Sequence, residues 1–318
     1  MKSPPNLRGA MLVLLAATLW STLGTIYTLG TEGYDLTPVT VVFWRAALAS
    51  LVLGVVLGGV LPVFGKGWRQ LRVRRVDLLL FATFGLLGVT AFYLLYIYAV
   101  VLVGVAVAVV LLYTAPIIVA VMAWRWLGES FGSRKVVALA LTFAGCALVA
   151  RVYDPERLQV NVVGILCGLG SAFTYALYSI LGKVSLRRGY SIATMSFYVY
   201  TIGAAGLLAA ALAGDPAQLF SMGANFEAWG LLLVLALAQT LGALAAYTAG
   251  LRYLEAGVAS ILATFEPVVA TILAFTILHE TIEWPQMVGG AFILVAVIVL
   301  QVRLRLRARR RKAPARLG

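Results

Sequence analysis

Charged and reactive side chains are scarce in this chain. Only 12% of its 318 residues are Asp, Glu, Lys or Arg, and it contains two cysteines and one histidine. Soluble domains carry about 25% charged residues, so this composition excludes a soluble protein. Cys146 and Cys167 both lie inside apolar runs, where we expect small buried thiols and no disulfide. The single histidine excludes a haem or metal centre built from several histidines.

Motifs for nucleotide hydrolysis and covalent catalysis are missing as well. The chain has no Gly-x-x-x-x-Gly-Lys-Ser/Thr phosphate loop, which argues against direct use of ATP. It has neither His-Glu-x-x-His nor Gly-x-Ser-x-Gly, and the segments between its apolar runs are too short for a catalytic domain. His279, followed by Glu280, is expected to be a solvated loop residue. We therefore expect no enzyme activity, no cofactor and no metal site.

Long apolar runs dominate the chain instead, and 62% of its residues are hydrophobic. A run of about 20 apolar residues is long enough to cross a bilayer as a helix. The ten runs of this kind are 10–29, 38–61, 77–98, 104–124, 134–152, 162–182, 191–212, 228–250, 257–278 and 285–302. The first run lacks a signal-peptidase site and should remain as a helix. The sequence predicts an all-α membrane protein with ten transmembrane helices.

Basic residues are concentrated in every second connecting segment. These segments, with the two ends of the chain, contain Lys2, Arg8, Lys66, Arg69, Arg72, Arg74, Arg75, Arg125, Arg134, Lys135, Lys183, Arg187, Arg188, Arg252 and the tail from Arg303 to Arg316. The intervening segments hold only Arg151 and Arg157 among basic residues. The positive-inside rule then places both termini in the cytoplasm, and we expect a multi-pass protein of a prokaryotic inner (plasma) membrane.

The basic tail lies directly after the last apolar run. Its net charge should attract anionic lipids of the cytoplasmic leaflet. Because the tail is held at the membrane surface, we do not expect nucleic acid as a partner.

An internal repeat is visible at a spacing of 151 residues. This spacing pairs Tyr96 with Tyr247, Pro116 with Pro267 and Glu129 with Glu280. Each copy holds five predicted spans, an odd number, so the second copy must be inverted relative to the first. We predict a first five-helix repeat in residues 1–152, a second, inverted repeat in 153–302 and a cytoplasmic tail in 303–318. Inverted repeats are typical of secondary transporters, which bind substrate near the midplane between the repeats.

The sequence resembles the EamA-type transporters of the drug/metabolite transporter superfamily. The motifs that carry the resemblance are Trp20, Val42-Phe43-Trp44-Arg45, Phe265-Glu266-Pro267-Val268, Leu127-Gly128-Glu129 and Leu278-His279-Glu280. His279 departs from the glycine usual in the last motif. The resemblance covers nearly the whole chain and implies export of amino acids or related small metabolites by alternating access. Substrates vary across that family, so the substrate stays open.

Arg45 and Glu266 lie farthest from the ends of the predicted spans, near the midplane of a hydrocarbon core about 30 Å thick. Ionisable residues at this depth are costly and usually functional, although a kinked or neighbouring helix can also satisfy them. An ion pair between the two, or a substrate bound by both, is geometrically possible. The predicted substrate-binding residues are Trp20, Arg45, Tyr96, Tyr113, Tyr175, Tyr247 and Glu266. Pro116 and Pro267 are predicted to break their helices and to contribute to gating.

The predicted function is secondary transport of small amphipathic metabolites through a central cavity, with protons as a candidate coupling ion through Glu266. One alternative is an exchanger of sugar phosphates or nucleotide sugars, which would need several buried Lys or Arg residues. Lys183, at the end of the sixth run, is the residue that would favour it. The other alternative is a membrane scaffold or membrane-integral enzyme that transports nothing.

Overall fold

The structure is a computed structural model that describes residues 5–31, 34, 36–60, 71–155 and 161–312. All regular elements in these ranges are helical. The helices are α1 (Pro5–Thr31), α2 (Pro38–Val55), α3 (Arg75–Gly85), α4 (Phe92–Leu112), α5 (Ala115–Leu127), α6 (Ser133–Val149), α7 (Val162–Arg187), α8 (Ile192–Ala213), α9 (Phe226–Val234), α10 (Ala243–Leu251), α11 (Ala256–Ala263), α12 (Glu266–Ile277) and α13 (Trp284–Lys312). Of the basic residues cited for topology, Lys2, Lys66, Arg69, Arg157 and those after Lys312 lie outside the described residues.

Several of these helices continue into each other through wider, π-helical turns. Such turns extend α2 over Val56–Val60, join α3 to α4 over Leu86–Ala91, and join α9 to α10 over Leu235–Gly242. Within the described ranges, seven continuous helical stretches are long and apolar enough to cross a membrane, and Ala115–Leu127 and Trp284–Leu300 are shorter apolar helices. The chain is therefore a multi-pass helical membrane protein, whereas the count of ten spans stays a prediction.

Pro116 and Pro267, which the predicted repeat pairs, lie where helices divide. Pro116 is in the first turn of α5, directly after the break that ends α4, and Pro267 is in the first turn of α12, after the end of α11. A proline is tolerated at this position because the first backbone N–H groups of a helix have no intrahelical acceptor. The hydroxyls of Thr114 and Thr264 each donate to a carbonyl three residues earlier, at 2.6 Å. Both prolines thus mark helix breaks deep in the bundle.

Gly104 interrupts α4, the helix that contains the predicted boundary between the third and fourth spans. Its backbone angles (φ 77°, ψ 162°) are not helical, although the chain is helical on both sides of it. The segment 105–112 therefore has a new helical start of its own. Glycine is suited to this position because side chains disfavour a positive φ.

Glycines allow the closest helix contacts. A Cβ atom on Gly289 of α13 would lie only 2.6 Å from the carbonyl oxygen of Gly145 in α6, and a Cβ atom on Gly164 of α7 would lie 2.6 Å from a methyl of Val103. In membranes, small residues let helices approach until their backbones touch, which strengthens van der Waals packing. The pairs α6–α13 and α4–α7 pack together along much of their lengths.

Candidate substrate site

Arg45 is buried in α2, with only 4% of its surface exposed. Its Nε donates a hydrogen bond of 3.2 Å to the hydroxyl of Thr240, and its guanidinium lies 5.6 Å from the ring centre of Tyr93. A hydrogen bond and a cation–π contact offset part of the cost of burying this cation. A guanidinium has five N–H donors, and Thr240 is the one hydrogen-bond acceptor that Arg45 has among the described residues. The remaining donors are suited to an anionic group of a ligand.

Glu266 opens α12 and is half-buried. Among the described residues, its carboxylate forms no hydrogen bond and no ion pair. The start of a helix favours a negative charge, because the first N–H groups point towards it. The side chains of Tyr96, Tyr113 and Tyr175 lie close enough to interact electrostatically with this carboxylate. Glu266 therefore presents an acceptor to the interior that its protein neighbours do not use.

Aromatic residues from both halves of the chain meet next to Glu266. The ring of Trp20 lies 5.5 Å from that of Tyr247, and the hydroxyl of Tyr247 is 2.9 Å from that of Ser179. Tyr175 also interacts with Tyr247 and lies 6.1 Å from the ring of Phe92. Trp20, Tyr96, Tyr113, Tyr175, Tyr247 and Glu266, proposed from sequence as separate candidates, are thus linked through contacts in one region.

A second set of tyrosines connects this region to Arg45. Tyr93, below the guanidinium, interacts with Tyr200, and Tyr200 interacts with Tyr178. The rings of Tyr178 and Tyr175 are 6.4 Å apart and inclined by only 22°. A line of aromatic rings therefore joins the cation to the carboxylate.

Arg45 and Glu266 do not pair with each other in the described part of the chain. Arg45 is held by Thr240 and Tyr93, and Glu266 lies at the far end of the line of tyrosines. A direct ion pair between them is therefore absent from this conformation. The two charges are presented separately to the same interior.

Tyr93, Tyr178, Tyr200 and Thr240 were not among the residues predicted for the site. A signal for Thr240 exists in the sequence, because Gln239 and Thr240 form a polar pair within the apolar run 228–250. Both are buried, and the Gln239 amide donates to the hydroxyl of Thr22 at 2.7 Å. The tyrosines carry no such signal, because tyrosine is frequent in this chain and commonly anchors helices at membrane interfaces.

Lys183 lies away from this interior and is occupied by the backbone. Its ammonium group donates to the carbonyl oxygens of Leu251, at the end of α10, and of Leu254, the latter at 2.5 Å. Lysine commonly satisfies the last carbonyls of a helix in this way. Arg45 is thus the basic group that the described structure offers to a ligand among the tyrosines.

A charged cluster near the end of α5 was also missed by the sequence reasoning. The carboxylate of Glu129 accepts hydrogen bonds from the backbone N–H groups of Ala256 (2.6 Å) and Gly257 (3.1 Å), the first residues of α11. Lys135 lies 3.7 Å from Glu129 and 3.0 Å from Glu255. We call the two bonds between Glu129 and α11 the Glu129 contact. It joins parts of the chain that are far apart in sequence.

The opposite end of α6 carries a different set of contacts. Arg151 pairs with Glu283 at 3.1 Å and donates to the backbone carbonyl of Thr281 at 2.9 Å. Tyr153 donates to Glu283 at 2.5 Å, and partial burial together with this carboxylate raises the pKa of the Tyr153 hydroxyl. Helix α6 begins at Ser133, close to Glu129, and ends at Val149, close to Arg151. Because Arg151 binds Thr281, the residue after Glu280, the two glutamates lie on opposite faces of the molecule.

These features define a multi-pass membrane protein whose apolar helices enclose an arginine, a carboxylate and a line of tyrosines. The chain belongs to the EamA-like transporter family, which it matches over residues 7–151 and 162–302. The resemblance drawn from the sequence motifs is thereby confirmed.

Relatives and a solved structure agree with this assignment. An uncharacterized transporter of Archaeoglobus fulgidus is 30% identical over 217 residues, which cover 67% of this chain and 74% of that protein. The uncharacterized transporter YwfM of Bacillus subtilis is 25% identical over 292 residues, covering 91% and 92% of the two chains. A protein of known crystal structure shares the fold with a TM-score of 0.74 and 19% identity, over 96% of this chain and all of its own.

Proposed function

We propose that this protein is a secondary transporter that exports small zwitterionic metabolites, foremost amino acids. The proposal is carried by two groups that lie in one tyrosine-lined interior. Arg45 has unused donors, and the carboxylate of Glu266 has no partner among the described residues. Ionisable residues at membrane depth commonly mark the path of a substrate or ion.

The two charges suit the two ends of an amino acid. The substrate carboxylate would bind the guanidinium of Arg45, and its ammonium group would bind Glu266 at a different stage of transport. The two stages are needed because both charged groups of an α-amino acid are on one carbon, whereas the line of tyrosines separates Arg45 from Glu266. Charge-assisted hydrogen bonds of this kind are about twice as strong as neutral ones. The rings of Tyr93, Tyr175 and Tyr178 would contact the apolar side chain of the substrate.

Alternating access between two inverted repeats is part of the proposal, with ten spans, a central cavity between the repeats and both termini in the cytoplasm. Local geometry 151 residues apart supports it. Gly128 and His279 both have positive φ (67° and 56°), and Glu129 and Glu280 donate from their N–H groups to the repeat-related carbonyls of Ala123 (3.1 Å) and Ala274 (3.2 Å). The family also matches in two segments of similar length, 7–151 and 162–302. Inverted repeats are the usual basis of alternating access in secondary transporters.

The two alternative functions have less support. Sugar phosphates would call for several cations beside the substrate. In the described part of the chain, Lys183 is bound to backbone carbonyls and Arg45 is the one cation that contacts the line of tyrosines. A scaffold would have no use for a buried arginine with unused donors and a carboxylate without a partner among the described residues. A membrane-integral enzyme would bring its catalytic groups together, whereas the line of tyrosines separates Arg45 from Glu266.

Transport by the purified protein in liposomes tests the proposal. A thermal-shift screen of amino acids, amines and sugar phosphates would select solutes, and counterflow of the radiolabelled hits would measure their exchange. We expect exchange of amino acids by the wild type and its loss in Arg45→Gln. Arg125→Gln, which removes an exposed arginine at the end of α5, is the matched control and should exchange normally. Exchange of sugar phosphates alone, or of no solute, would contradict the proposal.

A further inference from the structure

The Glu129 contact has no counterpart at Glu280, although the chain leaves α5 and α12 in the same way. The left-handed residues Gly128 and His279 precede the two glutamates, and the same backbone hydrogen bond follows in each case. Yet Glu129 is buried, at 7% exposure, whereas Glu280 is exposed. Equivalent local structure thus has different surroundings on the two faces.

The segment after Gly104 corresponds, in the predicted repeat, to the segment that Glu129 binds. Val105 and Ala106 precede Ala256 and Gly257 by 151 residues, and both pairs form the first turn of a helical segment. Backbone N–H groups in such a first turn lack intrahelical acceptors and bind carboxylates readily. The non-helical backbone of Gly104 interrupts the regular helical hydrogen bonding before these N–H groups, at the position that corresponds to the start of α11 in the predicted repeat.

The packing of the neighbouring helices also differs between the Glu129 face and the Glu280 face. α5 packs along α11, next to the Glu129 contact. The repeat-related helices, α12 and the segment 105–112, show no comparable packing in the described part of the chain. In this conformation α5 and α11 are therefore packed together, and the repeat-related pair is not.

We propose that Glu129 and Glu280 form alternating contacts that hold the two end states of the transport cycle. The structure holds the first state, in which Glu129 binds the start of α11. In the second state Glu129 releases α11, and the carboxylate of Glu280 accepts from the N–H groups of Val105 and Ala106. The inference rests on the proposed alternating access and adds the residues that hold each state.

The two contacts are not equal in charge. Lys135 and Glu255 strengthen the Glu129 contact with an ion pair of 3.0 Å. We call the proposed bonds between Glu280 and the N–H groups of Val105 and Ala106 the Glu280 contact. At the positions related to Lys135 and Glu255 the chain has Gln286 and Gly104, so the Glu280 contact would lack an ion pair. In the absence of substrate, the conformation with the Glu129 contact should therefore be favoured.

A pair of cysteines can report formation of the Glu280 contact. Gly257 and Ala120 touch where α11 meets α5, since a Cβ atom on Gly257 would lie 3.2 Å from the Cα of Ala120. The residues related to them by 151 positions are Ala106 and Thr271. Cysteines at 106 and 271 should therefore meet, and form a disulfide, only in the second state.

The experiment places Ala106→Cys and Thr271→Cys in a full-length chain that also carries Cys146→Ala and Cys167→Ala. Oxidation in liposomes, followed by cleavage at a protease site inserted between α6 and α7, separates cross-linked chains from open ones. Glu129→Gln should accelerate cross-linking by at least about threefold, and Glu280→Gln should slow it by a similar factor, as expected for a carboxylate at a helix start. Lys135→Gln, which leaves Glu129 in place, should also accelerate it.

The double variant Glu129→Gln/Glu280→Gln should return the rate towards that of the parent, which a general loss of folding would not do. Equal rates in all variants, or acceleration by Glu280→Gln, would overturn the inference. The readout needs no substrate, so it is independent of the substrate proposal. A chain that transports no solute but shows the opposed effects would refute the proposed substrates and retain the two contacts.

Discussion

The hydroxyl of Thr240 is the protein's own hydrogen-bond partner for Arg45 in the described interior. A hydrogen bond to a charged group contributes more than a neutral one, because the charge is otherwise poorly solvated. This bond also fixes the direction of the guanidinium, and with it the direction of the donors left for a ligand. Thr240 is therefore a positioning residue in the proposed site.

Removing the Thr240 hydroxyl should weaken substrate binding, because this hydroxyl accepts from Arg45 while donating to the carbonyl of Leu235 in the π-helical turn. In Thr240→Val, which keeps the shape of the side chain, we expect the affinity for the zwitterionic substrate to fall about tenfold, the size expected for a bond to a charged group. Thr240→Ser restores the hydroxyl and should restore affinity. Binding is measured by thermal shift against ligand concentration. If Val and Ser variants bind equally well, Thr240 does not orient Arg45.

Neutralising Glu266 should separate exchange from coupling, because its carboxylate is the proposed proton carrier. The amide oxygen of Glu266→Gln can still accept a hydrogen bond from the substrate ammonium group, so we expect counterflow to continue at lower affinity. Uptake driven by a pH gradient should be lost, because the amide carries no proton. Both rates are measured in the same liposomes, with Asp215→Asn, in an exposed segment, as the control. Loss of both activities would show that substrate binding or folding requires the carboxylate, and it would leave the role of Glu266 as proton carrier without support.

At the scale of helices, the irregular segments gather at the proposed site. Thr240 lies in the π-helical turn Leu235–Gly242, and Glu266 follows the break between α11 and α12. π-helical turns often occur at functional sites, since they re-aim side chains and loosen the regular hydrogen bonding of a helix. Irregular backbone is tolerated in a membrane where it faces protein or an aqueous cavity.

The contact between α6 and α13 allows a test of helix packing in which a neighbouring glycine is the control. A Cβ atom on Gly289 would clash with the Gly145 carbonyl at 2.6 Å, whereas one on the neighbouring Gly290 would meet nothing within 4 Å. We expect Gly289→Ala to lower stability by about 1–3 kcal/mol, as overpacking does. Gly290→Ala should leave the thermal midpoint unchanged or slightly higher. Equal midpoints for both variants would show that the two helices separate easily.

At the scale of the whole molecule, the proposed orientation places the Glu129 face in the cytoplasm. In a Cys146→Ala/Cys167→Ala chain, Ala217→Cys lies on an exposed segment that connects α8 to α9, and Ser133→Cys lies at the exposed start of α6. A membrane-impermeant maleimide should label residue 217 in intact cells and residue 133 only after permeabilisation. The reverse pattern would invert the proposed topology.

The sequence by itself determined the class of protein and most of the candidate residues. Composition and the length of apolar runs required helices that cross a bilayer, because a membrane leaves no other partner for backbone N–H and C=O groups. Pro116 and Pro267 indicated two helix breaks, because proline has no backbone N–H group to donate to the preceding turn. Charge at midplane depth marked Arg45 and Glu266 because burying a charge is costly in any fold.

Only the tertiary structure decided which side chains meet. That Arg45 binds Thr240, 195 positions away, and that Glu129 binds the start of α11 could not be read from local pattern, because these contacts depend on how helices pack. The same holds for the line of tyrosines, whose members are indistinguishable in sequence from interface anchors. Local chemistry determined which residues are costly to bury, and packing determined which partners offset that cost.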